Sequence, residues 1–306
     1  MHPSGVNTDL LIPAEHSVFL SGWFGWWIRR MFRRSFNAVR FEGESADVLR
    51  RLGERRGPAI VAMNHQSWWD PLIGLLVGGL LTPARPVMGP MQADQLKKFA
   101  IFRKVGVFGI EPDDPASLEE MVKYVRWSFA QDPARVLWIT PQGEFVDPRA
   151  EVRVRPGASA VAARLSDEPA GCDVVVLAIE MVFWIDQRPE VLLRAAEVRC
   201  QGDDHSSTIA WTRALNAAMR DNAQALANAS ITRDPARFRV VYSAEGVPRD
   251  GDDVGGRINP LVDLWLRLRG QSARLDARRR SRDVAVRSPA LASIDAHPAE
   301  RQEVTR

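Results

Sequence analysis

The sequence predicts an α/β fold, a mixed sheet flanked by helices. Three observations carry that expectation. Short apolar runs alternate with helical patterns from residue 46 to residue 200, the pattern of strands separated by helices that pack on their sheet. Ala59–Met63 is an unbroken apolar run, and residues 173–179 are strongly β-branched, as a central strand should be. The chain has 306 residues, of which 45% are hydrophobic and 26% charged, enough to bury a sizeable core.

Taken in order, residues 1–16 read as a loose leader. Residues 18–36 mix tryptophan with arginine at helical spacing. Phe24, Trp27, Ile28, Met31 and Phe32 form an apolar stripe, and Trp23, Trp27, Arg30 and Arg34 fall near one another. Aromatics beside arginines suit an amphipathic helix in the membrane interface, with indoles at headgroup depth and guanidiniums on phosphates. A helix packed on the protein's own core is the other reading.

Residues 39–43 read as a short strand and turn, 46–56 as an amphipathic helix closed by Gly57 and Pro58, and Ala59–Met63 as a strand. After a polar stretch come a helix at 72–81, a strand at 85–88, a helix at 92–101 and a glycine-rich loop or strand at 102–110. Residues 117–130 read as a helix capped by Ser117, with Glu119 and Glu120 in its first turn. The strand at 135–140 stops at Pro141-Gln142-Gly143-Glu144, and Arg149, Arg153 and Arg155 follow. A small-residue helix at 157–165, strands at 173–179 and 190–200, a long helix at 207–228 and a late strand at 237–243 complete the pattern. Residues 259–269 carry a last helical pattern, and the arginine-rich stretch 271–306 reads as disordered. The expected organisation is a leader and interfacial helix over 1–38, one α/β domain over 39–248 and a C-terminal extension over 249–306.

Bulk properties exclude several classes. A net charge of +3 gives no case for a nucleic-acid partner. Cys172 and Cys200 match neither a metal spacing nor a disulfide framework, so no metal is expected. No apolar run reaches the roughly 18–20 residues of a membrane span. The N-terminus lacks the charge, apolar and cleavage-site order of a signal peptide, which argues against export.

The stretch with chemistry in it is Asn64-His65-Gln66-Ser67-Trp68-Trp69-Asp70. His65 emerges at a strand end, and Asp70 lies five positions on, ahead of Pro71 and a helix. Such a pair has the parts of a general base and its orienting carboxylate. An ordinary hydrogen-bonded pair at a strand end has the same parts, and Ser67 beside His65 is a competing nucleophile. Asn64 is a brace for the loop or a turn residue. Gly143 permits close backbone approach or positive φ.

With these residues in view, the chain resembles the glycerolipid acyltransferase family, which includes the lysophosphatidate and glycerol-3-phosphate acyltransferases. Asn64-His65-Gln66-Ser67-Trp68-Trp69-Asp70 resembles its first block, a His and an Asp separated by four residues. Pro141-Gln142-Gly143-Glu144-Phe145 stands where its Pro-Glu-Gly-Thr-Arg block would. Residues 106–111 resemble the second block and residues 174–179 the fourth, so the likeness covers roughly residues 40–200. Two departures stand out. Phe145 replaces the arginine of the third block, and Glu111 or Pro112 stands near the arginine of the second. Both arginines are thought to hold an acceptor phosphate, for which Arg149, Arg153 or Arg155 are the available substitutes. The Pro-Gln-Gly-Glu variant resembles a divergent subgroup associated with other lipids, glycosylated carotenoids among them.

The resemblance implies a peripheral O-acyltransferase at the cytoplasmic face of the cell membrane. It would move a fatty acyl group from acyl-coenzyme A or an acyl carrier protein, a co-substrate and not a cofactor, to a lipid hydroxyl. His65 would be the general base and Asp70 its orienter. Asn64, Gln142, Gly143, Glu144, Arg149 and Arg155 are the candidate substrate-binding residues. Gln142 and Glu144 suit a sugar or glycerol hydroxyl, or form a polar turn. Arg103 and Lys104 suit the phosphates of coenzyme A or an acidic carrier protein, or are solvated. Trp68 and Trp69 suit an acyl channel or plain core. A non-catalytic lipid-binding protein on the same fold is the alternative.

Overall fold

The computed structural model describes residues 3, 5–168, 171–184, 187–200, 205–246, 265 and 268–270. Its elements run α1 (Val18–Ser35), β1 (Ala38–Glu42), α2 (Ala46–Glu54), β2 (Ala59–Met63), α3 (Asp70–Leu81), β3 (Val87–Gln92), α4 (Ala93–Lys98), a 3-10 turn (Ala100–Val105) and β4 (Val107–Ile110). They continue through α5 (Pro115–Gln131), β5 (Val136–Ile139), α6 (Pro156–Ser166), β6 (Asp173–Val182), β7 (Glu190–Val198), α7 (Thr208–Ile231) and β8 (Phe238–Ser243).

The strands form one mixed sheet in the order β4-β3-β5-β2-β6-β7-β1-β8. The five strands from β4 to β6 are parallel. β7 runs antiparallel to β6 and parallel to β1, and β8 closes the sheet antiparallel to β1. The expected α/β architecture with a mixed sheet and flanking helices is therefore the one observed.

The unbroken apolar run of β2 has a direct cause: both faces of the sheet are covered. Val61 and Met63 point into a core completed by α1, α2 and α3, through Ile28, Leu49, Leu52, Ile73 and Val77. Ile60 and Ala62 point the other way, into a core completed by α5, α6 and α7 through Val125, Val161 and Leu215. The period-two alternation of the strand thus divides one segment between two cores. Arg85 ties the opposite edge of the sheet together, donating to the carbonyls of Leu52, Gly57, Ala134 and Arg135.

Several expectations shift in detail. The helix read from residue 117 starts at Pro115, and Asp114 is its cap, accepting from Ala116. Ser117 instead donates to the Leu10 carbonyl and accepts from Glu111 N–H. The helix read over 92–101 is shorter and passes into the 3-10 turn. The leader is not loose where it is described. Leu11 is buried, Ile12 exchanges two hydrogen bonds with Gly109 on edge strand β4, and Asn7 N–H donates to Glu120. An edge strand covered in this way has fewer unpaired backbone groups.

Helix α1 spends its apolar stripe on the core. Phe24, Ile28 and Phe32 are buried, with Trp27 and Met31 packed beside them. Val18, Phe19, Trp23 and Trp26 face outward. No described helix is long and apolar enough to cross a membrane. The helical pattern at 259–269 lies mostly outside the described residues, as do the domain limit near 248 and the stretch 271–306.

Candidate active site

β2 delivers His65 to the carboxyl edge of the sheet, where ligands of open α/β sheets bind. Asn64 holds that delivery in place. Its side-chain amide donates to the Ile179 carbonyl at 3.0 Å and its carbonyl oxygen accepts Ile179 N–H at 2.7 Å. The amide therefore extends the β2–β6 pairing past the end of the strand. Both polar atoms of the Asn64 side chain are thereby bonded to main chain, the geometry of a brace for the loop.

Asp70 is the first residue of α3 and fully buried. One of its oxygens, Oδ2, accepts from His65 Nδ1 at 2.9 Å, from Gln66 N–H at 2.7 Å and from Ser67 N–H at 2.8 Å. Three donors thus converge on one carboxyl oxygen at the N-terminal end of α3. A carboxylate only accepts, so Nδ1 carries the imidazole proton and Nε2 presents its lone pair. Ser67 plays a turn role, its hydroxyl accepting Trp69 N–H at 3.1 Å.

The turn after β5 clamps the same loop. Gln142, itself buried, accepts His65 N–H on Oε1 at 2.9 Å, and Val146 N–H donates to the His65 carbonyl at 2.7 Å. Gln142 thus braces the histidine backbone through Oε1. Gly143 has φ +72°, and a Cβ there would lie 2.8 Å from Arg155 Nε. Only glycine fits both the turn and the arginine lying across it.

Sequence placed three arginines behind this turn without locating them. Arg155 reaches the site, lining the cavity beside Gly143 and pairing with Asp113 at 2.6 Å. Arg149 does not: its guanidinium reaches Glu180 on β6 at 3.3 Å. Arg153 pairs with Glu151. Arg103 and Lys104 both pair with Glu15, which pins the segment before α1 and draws the carboxyl of Glu15 below its usual range.

A cavity of about 820 Å³ opens beside His65. Gly143, Glu144 and Phe145 line it near the histidine, and Leu75, Val87 and Phe102 line it between α3 and β3. Trp138 of β5 also lines it. That indole is received by two glycines of α3: a Cβ on Gly74 would lie 3.1 Å, and one on Gly78 3.3 Å, from its ring atoms. The volume and the apolar lining are those of a ligand site. Trp68, 55% exposed, lines the opening, whereas Trp69 packs edge-on against Phe32 and Phe36 in the core. Phe145 lies against the imidazole, ring centroids 4.4 Å apart.

Sequence reasoning missed the cavity wall. Met63, Leu72 and Trp138 are apolar residues on a strand or helix, and nothing in the pattern separates a wall from a core. The Gly74 and Gly78 pair, four residues apart on one helix face, was the available signal.

No curated protein matches this chain. Residues 38–182 match the family model described as Acyltransferase. That span runs from β1 to the end of β6 and contains His65, Asp70, Gln142, Gly143 and the strands that carry them. Residues 38–182 are thus similar to the acyltransferase family.

Proposed function

We propose that this protein is a peripheral membrane acyltransferase that moves a fatty acyl group from an acyl thioester, acyl-coenzyme A or acyl carrier protein, to a lipid hydroxyl. The observation that carries the reading is His65, hydrogen-bonded to the buried Asp70, in the lining of an apolar cavity of about 820 Å³. In this reading the acyl chain lies in the cavity, with its thioester carbonyl beside His65.

The step is a direct transfer. Nε2 of His65 takes the proton of the acceptor hydroxyl as its oxygen bonds to the thioester carbon. Asp70 holds the tautomer and stabilises the imidazolium that forms. In this reading the tetrahedral oxyanion accepts from backbone N–H groups of the turn after β5; those of Glu144 and Phe145 have no protein acceptor among the described residues. Collapse breaks the carbon–sulfur bond, and the departing thiolate takes the proton from His65. The ester and the free thiol are the products.

Two features support a membrane setting at the cytoplasmic face. α1 presents Val18, Phe19, Trp23 and Trp26 outward from its first half and carries Arg33 and Arg34 in its last turn. Phe102 at the cavity wall packs edge-on against Phe24 of the same helix, so the outward aromatics and the cavity share one end of the molecule. An interfacial helix with indoles and guanidiniums at headgroup depth fits this arrangement.

A non-catalytic lipid-binding role does not need a proton fixed on Nδ1 by a buried carboxylate. The test is transfer of labelled acyl groups from acyl-coenzyme A to a panel of lipid alcohols by the purified protein. Transfer that His65→Ala removes supports the enzyme; equal behaviour of the two proteins refutes it.

A further inference from the structure

Resting on the acyltransferase reading, the rim around His65 points to the chemistry of the acceptor. Two aromatic side chains of the cavity lining remain in solvent, Trp68 at 55% exposure and Phe145, beside the histidine, at 62%. Large aromatics left exposed at the edge of a cavity are commonly covered by a ligand. Phe145 is held as a plate. Its ring lies 4.4 Å from the imidazole, and its loop is fastened on both sides of it by the Gln142 and Val146 hydrogen bonds to His65.

The charges beside this plate are unfavourable for an anion. Glu144 lines the cavity and makes no ion pair among the described residues. Arg155 also lines it, but its guanidinium lies across Gly143 and pairs with Asp113 at 2.6 Å. Arg149 and Arg153 are turned to Glu180 and Glu151. The charged groups of the lining are thus the Glu144 carboxylate and the Arg155 guanidinium. A phosphate monoester there would face that carboxylate and a guanidinium already engaged with Asp113, where tight phosphate binding uses a bidentate arginine.

We propose that Phe145 and Glu144 select an uncharged, polyhydroxylated headgroup as the acyl acceptor, a sugar or glycerol carried on a lipid. The C–H face of the headgroup would lie on Phe145 and Trp68. Neighbouring hydroxyls would donate to the Glu144 carboxylate, leaving one hydroxyl at Nε2 of His65. A site built to receive hydroxyls rejects a headgroup that brings charge in their place.

The test uses the full chain, labelled acyl-coenzyme A and three acceptors in mixed micelles: dodecyl glucoside, monoacylglycerol and lysophosphatidate. The expected result is a kcat/KM for one or both neutral acceptors about tenfold or more above that for lysophosphatidate. Glucoside against monoacylglycerol then separates a sugar from a glycerol. Glu144→Gln should raise KM for the neutral acceptor by about tenfold with little change in kcat, the signature of lost binding. Phe145→Arg should shift the preference toward lysophosphatidate by about tenfold or more. Thermal melting of both variants should match the parent, because both side chains are exposed. Preference of the parent for lysophosphatidate, or an unchanged preference in a folded Phe145→Arg protein, overturns the proposal while leaving the acyltransferase reading intact. Absence of transfer to all three acceptors, with His65→Ala equal to the parent, overturns both.

Discussion

Gln142 and His65 are joined through the main chain and not through the catalytic ring: the amide oxygen of Gln142 accepts His65 N–H at 2.9 Å. The turn after β5 therefore sets the backbone of the histidine, while Asp70 sets its imidazole. Any side chain with an acceptor oxygen at that distance does the same work. Gln142→Glu should keep kcat within about threefold, since an acceptor remains. Gln142→Leu leaves a buried N–H unsatisfied, which costs about 1–3 kcal/mol and should lower kcat with it. Melting curves and kcat on the two variants check this, and equal loss in both would contradict the backbone role.

The strands, the helices and the two covered faces were legible because burial leaves period and composition behind. The short unbroken apolar run of β2 told of a strand, and its lack of polar positions told of cover on both sides. The His65–Asp70 pair was legible for a different reason. A carboxylate at a helix start reaches back over one turn, so spacing alone brings it near the ring. What spacing cannot give is the direction of a long side chain. Arg149 and Arg155 lie six residues apart after the same turn, yet one pairs with Glu180 and the other lines the cavity. Asn64 read as a brace for the loop or a turn residue, and the resemblance added it to the substrate-binding candidates. In the fold it replaces a rung of the sheet.

Trp138 sets a limit on acyl length in this account. Its indole fills the space that Gly74 and Gly78 leave open. Trp138→Leu should enlarge the cavity and move the preferred acyl-coenzyme A toward longer chains, each methylene accommodated being worth about 1–3 kcal/mol in discrimination. A chain-length series of kcat/KM values reads this directly. An unchanged optimum would place the acyl chain elsewhere.

α1 separates two functions by face. Trp26, 59% exposed, and its neighbours Phe19 and Trp23 face outward, whereas Phe24 is buried in the core. Replacing Phe19, Trp23 and Trp26 by Ser should release the protein from anionic vesicles with stability changed by about 0.5 kcal/mol or less per site. Phe24→Ala should instead cost about 3–5 kcal/mol. Vesicle sedimentation and melting together check the pair, and unaltered sedimentation of the triple variant would refute the membrane role.

Glu190 anchors the end of β7 against β1. It is fully buried, pairs with Arg40 at 2.6 Å and accepts from Asn37 at 2.7 Å. Glu190→Ala takes this carboxylate away from the buried Arg40 guanidinium and the Asn37 amide. A loss of about 3–5 kcal/mol is expected in denaturant titration, with no change in acceptor preference in protein that remains folded.

The central claim is that His65, oriented by Asp70, is the base of an acyl transfer. Its most direct measurement is the transfer rate from labelled acyl-coenzyme A to a lipid alcohol, compared for the parent, His65→Ala and Asp70→Asn. The account predicts loss of about 10²–10⁴-fold in both variants, in protein that still melts cooperatively. Transfer by folded His65→Ala at the parental rate would contradict it.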